Sequence, residues 1–192
     1  MKKQLAHDFM PPVLSFLEKI GIFAEIVPVS GGFLEKIKIL NGGLRIDPDC
    51  SICDILHEAG HLAIIPNRYR SRFSVNADDS DVWDTVMAEI RKANLDPDHR
   101  LCRAVIQCSD QEATAWAWAA GLAIGVDHDL IIEDNNYPDD NGIMGGEYVR
   151  LAMENNQWPG INGLMHSGMC DNPRRPDGFP KMKKWLQDAD ID

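Results

Sequence analysis

Residues 55–63 read ILHEAGHLA, and three of them have the types and spacing of a metal site. His57 and His61 are four apart, so on a helix they share one face, a turn from each other. Two imidazoles placed this way can bind one zinc ion, which takes nitrogen and carboxylate ligands in a tetrahedral arrangement. Glu58 is the next residue round the helix, within reach of a metal-activated water whose proton it can take. The pattern therefore points to hydrolysis, with zinc as the cofactor, His57 and His61 as ligands and Glu58 as the general base. Gly60 lies inside the same helix, where glycine costs about 1 kcal/mol relative to alanine. Its missing side chain would let another element approach the metal face.

A catalytic zinc ion usually takes three protein ligands and leaves one position open. The candidates for the third are Glu112, Asp110, Asp84, Glu89, Glu147 and His166. Glu112 is favoured, because the face it opens continues through Ala115, Trp116 and Ala119, mostly small residues that permit close approach to Gly60. The competing role is specific: Ser109 and Glu112 form an S-x-x-E capping box, in which the glutamate only satisfies a backbone donor. Asp110 is the next candidate, as ligand or as partner to a ligand histidine. Hydrolysis of an acyl bond also needs a donor for the oxyanion. Tyr148 and His166 are the candidates for that catalytic role, with Tyr69 beside them; His166 sits in the Gly-flanked segment GLMHSGM. Cys50 and Cys53 form a C-x-x-C ahead of the metal helix, but no second C-x-x-C exists to complete a zinc ribbon, so they read as buried or cap-region thiols.

The elements that must position these residues follow from periodicity and punctuation. Residues 12–20 read as a helix opened by proline and stopped by Gly21. Residues 22–29 and 33–40 read as strands; in the second, Phe33, Glu35, Ile37 and Ile39 share one face. Asn41-Gly42 is a hairpin turn into a third strand, 43–47, which predicts a small antiparallel β-meander. The metal helix starts within Pro48–Ser51, with Ser51 and Asp54 as a cap, and stops at about Ile65 before Pro66. Further helices are expected at 80–93, 98–107, 110–124 and 147–156, with an acidic loop over 127–146. The chain from Pro159 reads as irregular apart from a helix near 180–188. The expected fold class is α+β, a small sheet followed by helices, in a single domain over 1–192. Its metal core spans about 33–125, and 126–192 forms a loop-rich extension.

Composition narrows the function classes. The net charge of −11 over 192 residues argues against nucleic acid as a partner. The basic cluster Arg68, Arg70 and Arg72 is followed by Asp78, Asp79 and Asp81, and reads as a solvated loop. No apolar run approaches the roughly 20 residues that span a bilayer, and Met1 to Met10 lack an apolar signal core. Five cysteines are an odd number and read as reduced thiols, so a cytoplasmic location without membrane contact is expected.

ILHEAGHLA followed by QEATAWAWAAG resembles the HExxH zinc peptidases whose third ligand is a downstream glutamate, the gluzincins. The hairpin-to-helix segment IKILNGGLRIDP…ILHEAGHLA is similar to the compact ImmA/IrrE-type metallopeptidase domain. In that family the glutamate opens an alanine-rich helix with an E-x-x-A pattern, as Glu112 to Ala115 do here. The resemblance covers roughly residues 33–125, and Asp78 to Cys108 reads as an insertion. It implies a zincin-like fold, a peptide or protein substrate, and Glu112 as third ligand. A non-catalytic, metal-stabilised interaction or regulatory module of the same fold is the alternative; Glu58 separates the two, because a purely structural site has no use for a base.

Overall fold

The computed structural model describes residues 6–30, 34–74, 80–136 and 145–191. A 3-10 turn (Ala6–Phe9) leads into α1 (Met10–Ile20), whose prolines stand in the first turn, where a missing N–H costs nothing. Met10, Val13 and Leu17 form its buried stripe, and Gly21 ends it in the left-handed conformation at φ 90°. Three short strands follow: β1 (Ala24–Ile26), β2 (Ile37–Leu40) and β3 (Gly43–Ile46). Asn41 and Gly42, both at positive φ, make the tight turn between β2 and β3.

The sheet departs from a meander. Its order is β1-β3-β2, with β3 parallel to β1 and antiparallel to β2. The reason lies in the strand that can bear burial on both sides. Leu44 and Ile46 of β3 are wholly buried, whereas β1 and β2 each leave an apolar side chain exposed, Ile26 and Leu40. The most deeply buried strand takes the centre, and beyond β1 the Asp47 carboxylate accepts from Val29 N–H at 3.1 Å. Ile37 and Ile39 share the core face as their alternation requires; Phe33 lies outside the described residues.

The helical part begins with α2 (Ile52–Ile64), which carries His57, Glu58 and His61. Ser51 Oγ accepts from Asp54 N–H at 3.0 Å, and Pro66 follows the C-terminal end. A single turn, α3 (Asn67–Arg70), then α4 (Ser80–Ala93) and α5 (Arg100–Ile106), lead to α6 (Asp110–Ile124). Residues Glu112 to Gly121 of α6 are all buried. Its alanines bring neighbours close, and Trp116 and Trp118 both sit in the core. Burying one large apolar side chain contributes roughly 1.5–3 kcal/mol, so α2 and α6 form the stable pair on which the rest is assembled.

Beyond α6 the chain is more regular than its composition implies. The acidic stretch holds α7 (His128–Ile131) and a 3-10 turn (Asp134–Asn136), with Ile131 and Ile132 buried. After α8 (Gly145–Glu154) comes α9 (Pro159–His166), where an irregular chain is expected. Pro159 starts α9, and its glycines serve packing instead of turning: a Cβ on Gly160 would fall inside contact of Gln111 O, and one on Gly163 would strike the Glu112 side chain. The expected helix near 180–188 is absent, because tertiary bonds claim that backbone. Gln187 N–H donates to Ala63 O at 2.8 Å, Asn67 N–H donates to Gln187 O at 3.0 Å, and Trp116 Nε1 donates to Trp185 O at 2.9 Å. One hydrophobic cluster runs from Phe9 to Ala189. Among the described residues no helix is long and apolar enough to cross a membrane.

Candidate metal site

The helical spacing of His57 and His61 brings their Nε2 atoms to 3.1 Å, with the rings edge to face and centroids 4.7 Å apart. Asp110, the first residue of α6, completes the group. Its Oδ1 lies 3.1 Å from His61 Nε2 and 3.6 Å from His57 Nε2. Zinc at about 2.0–2.2 Å from tetrahedral N and O ligands requires donors about 3.3–3.5 Å apart. The three separations of 3.1, 3.1 and 3.6 Å bracket that spacing. Among the described residues this is the one group of three metal-binding side chains whose donor atoms lie within 4.8 Å of one another. Two imidazoles with a carboxylate suit zinc or another first-row metal better than calcium or magnesium, which favour oxygen.

Burial grades across the site. His61 is buried, His57 half-buried, and the Asp110 side chain is 72 % exposed, so the site opens to solvent on the aspartate side. Hydrogen bonding to His57 and His61 holds the Asp110 carboxyl well below the usual carboxylate range, keeping it an anion. Glu58 is half-buried in the same turn of α2. Burial pushes its carboxyl up, against the pull of His61 and His57, and it is close enough to feel the Asp110 charge as well.

The approach of the two helices depends on Gly60. A Cβ there would come within 2.5 Å of Ala113 O, so only glycine allows α6 this close to the histidine face. The α6 face turned to α2 carries Asp110, Ala113, Thr114 and Ala117, at i, i+3, i+4 and i+7. Glu112 lies two residues from Asp110, about 200° round the axis. It therefore faces away, towards Gly163 of α9, and does not join the metal-binding group expected for it. Its Oε2 accepts from Ser109 N–H at 3.2 Å and from Ser109 Oγ, closing the capping box. The signal for Asp110 was in the sequence: the same small-residue argument applies to Ala113 and Ala117, and the capping box already occupies Glu112.

Among the described residues no other candidate ligand joins this group. Tyr148 is 71 % exposed on α8, and His166 is exposed at the end of α9. Tyr69 is wholly buried, and its hydroxyl has no hydrogen-bond partner among the described residues. Asp84 and Glu147 are exposed, and Glu89 pairs with Arg72 at 2.7 Å. Cys50 and Cys53 are buried and outside any disulfide, with Cys50 pushed up to about 12 by burial. The Arg68–Arg72 cluster is no solvated loop. Arg68 pairs with Asp190, and buried Arg70 donates to Leu62 O at 2.7 Å, Ile65 O at 3.1 Å and Gln187 O at 3.3 Å. Arg70 thus satisfies carbonyls at the end of α2, a role its sequence setting concealed. Asp78 and Asp79 lie outside the described residues.

No family model, curated protein or solved structure matches the chain.

Proposed function

We propose that the protein is a zinc-dependent metallopeptidase of the HExxH type, with His57, His61 and Asp110 holding the metal and Glu58 as general base. The observation that supports this most is the convergence at zinc-like separations of Oδ1 of Asp110 with two Nε2 atoms from the α2 turn that also carries Glu58. Zinc bound there would supply Lewis acidity, making water a competent nucleophile near neutral pH and polarising the scissile carbonyl. Glu58 takes the proton from the attacking water and returns it to the leaving nitrogen. Asp110 contributes the negative charge that favours a cation. The exposed side of the group, beside Asp110, is where a peptide or protein substrate enters. The net charge of −11 disfavours nucleic acid as substrate, and five free cysteines are in keeping with a reducing, cytoplasmic setting.

The test is to load wild type and Glu58→Gln with zinc and assay both against a peptide library. Glu58→Gln is expected to keep the metal and lose hydrolysis. Equal activity in the two proteins refutes the mechanism. A zinc-loaded wild type that cleaves no peptide refutes the peptidase assignment and leaves a metal-stabilised module.

A further inference from the structure

We infer that Thr114 is a positioning residue: it orients the His57 imidazole and couples that ligand to the turn bearing Asp110. The inference rests on the metal-site reading given above. Thr114 is 1 % exposed and lies one turn after Asp110 on the α6 face that meets α2. Its Oγ1 is 2.7 Å from Asp110 O and 3.4 Å from His57 Nδ1. The carbonyl can only accept, so the threonine hydrogen goes to it, and the hydroxyl offers a lone pair to the imidazole. A metal-ligating histidine is neutral and carries its hydrogen on the nitrogen that does not bind. In His57, Nε2 is the nitrogen beside His61 and Asp110, which leaves the hydrogen on Nδ1, facing Thr114. One hydroxyl therefore bridges the imidazole of the first ligand and the backbone of the third, across the gap between two helices.

A buried threonine bonded to the carbonyl four residues earlier also occurs as a purely local feature. Variants that keep the shape but change the hydroxyl separate the two roles. Thr114→Val keeps the branched side chain and removes the acceptor, while Thr114→Ser keeps the hydroxyl. Zinc affinity is measured by competition with a chelator, and the His57 Nδ1–H signal by nitrogen-edited NMR of the zinc-loaded proteins. The expectation for Thr114→Val is affinity lower by about 10- to 100-fold and a displaced, faster-exchanging Nδ1–H signal. Thr114→Ser should restore both. Wild-type affinity and an unchanged signal in Thr114→Val overturn the inference, as does a Thr114→Ser variant that folds without recovering them. Failure of wild type to take up zinc refutes the metal-site reading itself, a separate result.

Discussion

The histidine face of α2 and the first turn of α6 supply the proposed site in different ways. His57 and His61 stand in the interior of a helix fixed at both ends, by Ser51 at the start and by the Arg70 guanidinium at the finish. Their mutual spacing is a property of the helix alone. Asp110 stands at a helix start, with an exposed side chain. Its position depends on the Ser109–Glu112 cap, on Gly60 admitting α6, and on α9 pressing against the same turn. Trp158 Nε1 donates to Gln111 O at 2.8 Å there, and Gly160 packs on that same carbonyl. Two of the proposed ligands are thus local features of the chain, while the third is a tertiary one.

The contrast can be broken at either end. The larger effect is expected from Arg70→Met, which leaves the carbonyls of Leu62 and Ile65 without their buried donor, while Gln187 O keeps Asn67 N–H. Each unsatisfied buried group costs about 1–3 kcal/mol, so denaturant unfolding should show a loss of at least about 2 kcal/mol, in metal-free protein as well as loaded. A loss below 1 kcal/mol would mean that water or a shifted tail replaces the arginine. A smaller effect, aimed at the other side, is expected from Gly160→Ala. The added Cβ meets backbone, so α9 and the first turn of α6 must part, at a stability cost of about 1–3 kcal/mol. Because that displacement moves Asp110 and leaves α2 in place, zinc affinity should fall by about tenfold. Unchanged affinity in a folded Gly160→Ala protein would show that α9 does not set the third ligand.

The same division explains what was legible in the sequence. The α4 and α6 boundaries and the Ser51 cap could be read directly, because they depend on residues near one another in the chain; Gly60 could be read because a glycine inside a helix signals a close approach. The α+β class followed from them. The strand order could not be read, since nothing in 22–47 announces that the third strand takes the centre. Gly160 and Gly163 were misleading in isolation: glycine marks a turn or a close approach, and only the partner helix tells which. Lys183 to Gln187 have helical composition but give their backbone groups to Met169, Ala63 and Asn67. At the candidate site, the pairing of His57 and His61 was evident from spacing. The third ligand was expected at Glu112, which lies on another face of α6 from Asp110 and is held in the cap with Ser109. Thr114 gave no signal, its function being defined by a ring on another helix.

The central claim is that the third ligand is Asp110 and that Glu112 is a cap. The most direct measurement is zinc stoichiometry and affinity for wild type, Asp110→Ala and Glu112→Gln, with melting followed in parallel. The account predicts one zinc per wild-type chain, a loss of affinity of at least about 100-fold in Asp110→Ala, and near-wild-type affinity in Glu112→Gln despite a lowered melting temperature. Wild type without stoichiometric zinc, or a Glu112→Gln protein that loses the metal while Asp110→Ala retains it, would contradict the account.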